Sequence, residues 1–353
     1  MSDSHAPALP ATRARLPHLS GPVWLVWRQH RAAFWTGAGL LAALAVFVVV
    51  QRAEMVAYIE THDLVGCVYD SPDPRCEGVN AFRGRFYDLL HYTGLVTSFA
   101  PLIIGVFLGA PLLSREIENG TYLLSRSQSV SRARWFAYKL GVPALVTLVG
   151  TGVLSALYTW WWKPADNMLK GMHWYDSPPF DNVGVVPVAM ALLALVTGAV
   201  VGMVVRRTVA AMVVTCALCI AGWVGLNFLR PLLWPVQVAT ARQFTADLWG
   251  SPTPLGLLQP HAWPLELPSK PYSSWTVDSG YLTSSGDRFT STACGGPTDA
   301  SAACLKAHDV AGVWVEYHPA SHFLPMQWAT AGVLLAVAAA VTAFSFWWVH
   351  RRS

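Results

Sequence analysis

Six stretches of this chain run twenty or more residues without an Asp, Glu, Lys or Arg. They lie between Arg31 and Arg52, Asp88 and Arg115, Lys139 and Lys163, Asp181 and Arg206, Arg207 and Arg230, and Glu316 and Arg351. A bilayer's hydrocarbon core is about 30 Å thick and a helix rises about 1.5 Å per residue, so roughly 20 apolar residues cross it. Each stretch is long enough. The uncharged run 248–265 is nearly as long, but Pro252, Pro254, Pro260 and Pro264 remove backbone donors that lipid cannot replace, which excludes a spanning helix there. With 54% hydrophobic and only 12% charged residues among 353, the chain reads as an all-α polytopic membrane protein with six transmembrane helices rather than two soluble domains.

The basic residues set the expected orientation. With the N-terminus inside, cytoplasmic segments hold Arg13, Arg15, Arg28 and Arg31, then Arg115, Arg126, Arg132, Arg134 and Lys139, then Arg206 and Arg207, and finally Arg351 and Arg352. Only Asp3, Glu116 and Glu118 oppose them, while the first outer loop alone carries Glu54, Glu60, Asp63, Asp70, Asp73, Glu77 and Asp88. This asymmetry predicts both termini in the cytoplasm, with the first span as a retained signal anchor. Cysteine placement gives an independent line. Cys67 and Cys76 fall in the first outer loop and Cys294 and Cys304 in the last, where an oxidising compartment favours two disulfides. Cys216 and Cys219 form a C-x-x-C among Val, Ala, Leu and Ile in the fifth span, without the cation or helix N-terminus a reactive thiolate needs, and read as two buried thiols.

Along the chain, residues 1–19 read as a disordered cytoplasmic tail and residues 20–31, with Trp24, Trp27, Arg28 and Arg31, as an interfacial helix leading into the membrane. Residues 32–229 hold the first five spans, with an extracytoplasmic loop at 51–90 and an inside segment at 114–134; residues 326–350 are the sixth span. In the second span Pro101 and Pro111, with Gly94, Gly105 and Gly109, allow bending and close helix approach. Trp160, Trp161, Trp162, Trp174 and Tyr175 between spans three and four read as an aromatic belt at the membrane surface. Residues 230–325 form the largest soluble piece. Alternation in Trp275–Leu282 and Val313–Tyr317 predicts short strands, hence a small disulfide-closed extracytoplasmic module, α+β or β, before the last helix.

Signatures of chemistry are scarce. There is no G-x-x-x-x-G-K-[ST] and no G-x-G-x-x-G after a strand, so ATP and Mg belong to a partner and no cofactor is expected in this chain. His308, His318 and His322 lack spare cysteines and read as loop histidines, so no metal site is expected. No nucleophile elbow surrounds Asp299 and Ser301, and no catalytic residues are assigned. The spans contain essentially no charge, which disfavours a proton-coupled carrier and favours an amphipathic or hydrophobic cargo over a small ion. No residue marks a substrate site or a nucleic-acid contact.

The inside segment is the most specific part. Arg115-Glu116-x-Glu118-x-Gly120-Thr121, then Leu123-Leu124, then Ser129-Val130-Ser131-Arg132, then Trp135 and Lys139 resembles the cytosolic segment after the second span in permease subunits of ABC-2-type ABC transporters. Tyr317-His318-Pro319-Ala320-Ser321-His322-Phe323 followed by Gln327 is similar to a segment in a bacterial subgroup of those permeases. The resemblance implies a non-enzymatic permease of the bacterial cytoplasmic membrane, working as a homodimer or heterodimer with separate ABC ATPase subunits. It also implies that residues 20–31 act as an elbow and that Glu118–Leu124, with Arg115, Glu116 and Arg132 alongside, couples to the ATPase. One departure is that some ninety residues precede the last span, where such permeases carry short re-entrant helices; Leu229–Ala241 is the segment in question. The alternative is a non-transporting sensor or immunity protein that presents 230–325 to an extracellular ligand.

Overall fold

The computed structural model describes residues 22–69, 71, 73–120, 132–241, 273–294 and 298–351. Six helices among them are long and apolar enough to cross a membrane, and the chain is a multi-pass membrane protein.

The first, α1 (Pro22–Thr61), is a single helix of 40 residues. The expected elbow at 20–31 is therefore not a separate helix: no proline follows Pro22, and nothing else in the segment stops helix propagation. At about 1.5 Å per residue this helix is roughly twice as long as the hydrocarbon core is thick, so it projects well past it. Arg28 and Arg31 are exposed on its first turns, and the side chains of Trp24 and Trp27 lie outside the described residues.

The loop expected at 51–90 shrinks to 62–78, because α1 continues to Thr61 and α2 (Val79–Ser98) starts early. Charges such as Glu54, Glu60, Arg83 and Arg85 ride on these helices and do not end them. The Cys67–Cys76 disulfide closes this loop, and a 3-10 turn at Pro74–Cys76 is capped by Asp73, which accepts from Arg75 N at 3.0 Å.

The second span continues through α3 (Ala100–Ile103), a π-helical stretch (Ile104–Gly109) and α4 (Ala110–Glu118). It lies directly against α7 (Val186–Val205). A Cβ placed on Gly198 would sit 2.3 Å from Gly105 O, so neither helix tolerates a side chain at the crossing. The helix α5 (Arg132–Trp162) precedes a long connection with a short α6 (Pro179–Asn182), and α8 (Thr208–Leu229) follows α7 after only Arg206 and Arg207. The last span is α10 (Phe323–Arg351).

Leu229–Ala241 contains no re-entrant helix. A 3-10 turn at Arg230–Leu232 leads into strand β1 (Gln237–Ala241), as Pro231 and Pro235 forbid a continuous helix. The module is α+β. Strands β2 (Trp275–Thr283), β3 (Arg288–Thr290) and β4 (Val310–His318) join β1 in an antiparallel sheet of order β1-β4-β2-β3. Helix α9 (Thr298–Ala307) is tied by the Cys294–Cys304 disulfide, and Leu305, Tyr281, Val313, Val315 and Tyr317 form the module's core.

Both disulfides lie at one end of the bundle. Tyr69 N donates to Asn167 O at 2.8 Å, and Trp174 Nε1 donates to Ser273 O at 2.8 Å, linking the first loop, the α5–α7 connection and the module. The main core is built here, around Met55, Phe82, Phe86, Leu169, Met172 and Phe180. This corrects the aromatic belt. Trp161, Trp162 and Trp174 are buried in that core, with Trp162 Nε1 donating to Met172 O at 2.7 Å, and only Trp160 is exposed, with Arg52 stacked 4.1 Å above its ring.

Candidate coupling site and its anchors

The residues expected to couple to a partner divide into two groups. Thr121, Leu123 and Leu124 lie outside the described residues, as does the side chain of Arg132, which begins α5. The tip of α4 is described and its acids are engaged within the chain. Glu116 pairs with Lys139 of α5, whose side chain is 3% exposed. Glu118 Oε2 accepts from Thr208 N at 2.9 Å and from Thr208 Oγ1 at 2.6 Å. Thr208 is the first residue of α8, so the Glu118 carboxylate supplies the cap that Arg207 at the N-cap cannot. Ser114 Oγ adds a 3.3 Å contact to Thr208 Oγ1. Arg115 is exposed, and Gly120 at φ +69 ends α4 in the left-handed conformation that favours glycine.

The tip of α4 is thus fastened to two other spans. Glu116 fixes α4 to α5 and Glu118 fixes it to α8. The spacing of the two acids is i, i+2, which puts them on different sides of the helix, and that is why they reach different neighbours.

At the opposite end a second anchor escaped sequence reasoning, which took Asp181 and Arg230 only as the ends of spans. Arg230 Nη2 donates to Asp181 Oδ1 at 2.6 Å, with side chains 4% and 2% exposed. Asp181 Oδ2 accepts from Ser177 Oγ at 2.8 Å and from Trp223 Nε1 at 3.3 Å, and the guanidinium lies 4.0 Å above the Phe180 ring. The signal was present: Asp181 precedes the fourth span and Arg230 follows the fifth, and a two-residue turn makes those spans antiparallel neighbours.

The segment around His318 ties the module to the bundle. His318 is buried, with Nε2 3.2 Å from Pro231 O and Nδ1 3.1 Å from His322 Nδ1. Burial holds the His318 imidazole below the usual histidine range, against the Pro231 carbonyl, which favours the charged form. Four residues past Phe323, Gln327 Nε2 donates to Phe180 O at 3.0 Å and Oε1 accepts from Val186 N at 3.2 Å. Among the described residues, Cys294, Cys304 and His308 bring ligand-type atoms together, but the two sulfurs are bonded to each other and are not thiolates. Cys216 and Cys219 are both unbonded.

Comparison with curated proteins and with solved structures returns no match. A family model described as ABC-2 membrane transporter related matches residues 38–230. That range runs from within α1 to the residue that closes the Asp181 pair, takes in the second to fifth spans and most of the first, and stops before the module. Together with six apolar helices and two disulfides it fits a permease subunit, normally a non-catalytic part of a transporter: the chain belongs to the ABC-2 membrane transporter related family.

Proposed function

We propose that the chain is the membrane permease of an ATP-driven ABC exporter. Two copies, or this chain and a similar one, form the translocation path in a bacterial cytoplasmic membrane, and separate ATPase subunits bind ATP and Mg. The observation that carries this reading, beside the family match, is the double fastening of α4 through Glu116 and Glu118. A push on residues 119–131 passes into α5 and α8 as rigid bodies, which is what coupling to nucleotide closure needs.

The orientation follows from charge. The end with Arg115, Arg206 and Arg207 is cytosolic, and the end that carries both disulfides faces an oxidising compartment.

Co-expression with a candidate ATPase tests the reading. The expected result is a complex whose ATPase activity depends on residues 119–131. Failure of any ATPase to associate, or labelling of a single cysteine at Gly120 by an impermeant reagent from outside intact cells, sinks it.

A further inference from the structure

Between the second span, α7 and α8 lies a cavity of about 190 Å³. No Asp, Glu, Lys, Arg or His lines it. Its outer wall is lipid-facing: Leu95, Phe99, Leu218 and Ile220 are all exposed, whereas Ala194 and Leu226 at its depth are buried. From Leu218 to Leu226 the wall follows eight helical rises of α8, about 12 Å. Ser98, Thr197 and Cys219 place scattered polar atoms along it. Ser177 and Trp223 stand at the end nearest the module, and both donate to Asp181 Oδ2, beside the Arg230 pair.

We propose that this cavity binds one hydrocarbon chain of a membrane amphiphile that enters sideways from the bilayer, its uncharged hydroxyl head donating to Ser177 Oγ, whose own proton is held by Asp181, beside the Trp223 ring. A mouth open to lipid and a wall without charge suit methylenes and reject a hydrated ion. Asp181 and Arg230 neutralise each other, so this end offers dipoles rather than net charge and selects a neutral head. The proposal does not rest on ATP-driven export: a chain can occupy the cavity in a protein that moves nothing, and ATPase association is scored separately.

Two glycines of α8 make the test sharp. A Cβ on Gly222 meets no heavy atom within 4 Å, and Gly222 lines the cavity; Gly225 has the same open space but does not line it. Gly222→Phe therefore fills the cavity, and Gly225→Phe places an equal ring outside it. The full-length protein is reconstituted in nanodiscs, photolysed with a diazirine-bearing diacylglycerol or with a diazirine-bearing stearyl alcohol, and mapped by peptide mass spectrometry. Adducts are expected on the peptides spanning 95–102 and 218–226. Their yield should fall about tenfold in Gly222→Phe, as the loss of about two buried methylenes alone would give, and stay unchanged in Gly225→Phe. The probe that labels identifies the source of the chain, a resident lipid or a single-chain cargo. Should Gly222→Phe fail to fold, Thr197→Phe fills the same space from α7. Equal labelling in wild type and the filled variants, or adducts spread over all six spans without enrichment, overturns the proposal.

Discussion

The Arg230 guanidinium meets the Asp181 carboxylate at 2.6 Å, and through that contact the end of α8 is fixed to the turn ahead of α7. Neither group has water to fall back on. Removing one partner of a buried pair typically costs about 3–5 kcal/mol, while replacing both by apolar residues costs far less. Arg230→Met and Asp181→Leu singly should each lower the melting temperature in nanodiscs, and the double variant should recover much of the loss. Additive losses would show that the pair is not coupled.

The two acids of α4 should separate by experiment. Glu116→Gln removes the carboxylate that faces the buried Lys139 ammonium and should lower the melting temperature. Glu118 is exposed, so Glu118→Gln should leave the melting temperature nearly unchanged and weaken the hold of α4 on Thr208. On the proposed function it lowers ATPase-dependent export without loss of folded protein. Transport at the wild-type level in Glu118→Ala would remove Glu118 from the coupling path.

Reduction should act on the module. The Cys294–Cys304 bridge spans 10 residues, and loops of this order stabilise by about 2–3 kcal/mol. Cys294→Ser with Cys304→Ser should raise hydrogen exchange in α9 and β4 while α4, at the far end of the bundle, keeps its own.

Acid should loosen the junction between module and bundle. Burial lowers the His318 pKa in the folded protein below its unfolded value near 6.5, with the neighbouring His322 acting the same way and the Pro231 carbonyl opposing. The unfolded chain then binds more protons, so this stability is complete above about pH 6.5 and is lost as pH falls towards the folded value. His173, whose pKa is also lowered by burial, contributes with the same sign from the α5–α7 connection. Unfolding of wild type and His318→Gln followed between pH 7.5 and 5 separates the two. The pH slope should flatten in the variant, and an unchanged slope would assign the effect elsewhere.

Much of the body of this protein is legible in its sequence because lipid punishes charge. The gaps between charged residues mark six helices, and strand alternation at Trp275–Leu282 and Val313–Tyr317 marks β2 and β4, the central pair of the sheet. Helix ends were less legible, since Glu54 or Arg83 can ride on a helix that has already left the hydrocarbon. Trp161 and Trp162 mislead for a related reason. Composition places tryptophan at the interface, but only the fold decides whether it faces lipid or a protein core that rises above the membrane. The roles of Glu116 and Glu118 were hidden because their partners, Lys139 and Thr208, are 23 and 90 residues away in the chain. Asp181 and Arg230 were visible as span boundaries and hidden as a pair.

Strand β1 pairs with β4 from Gln237 opposite Tyr317 to Ala241 opposite Val313. The chain that leaves α8 and the chain that enters α10 are therefore zipped together before anything else in the module begins. Among the described residues between these feet, β2 lies along β4 and Ser273 O accepts from Trp174 Nε1, so the inserted headpiece stands on this ribbon and on a further tie to the bundle. A short hairpin turn could replace it without stretching either helix, so the headpiece can diversify or be exchanged while the membrane machine beneath stays the same.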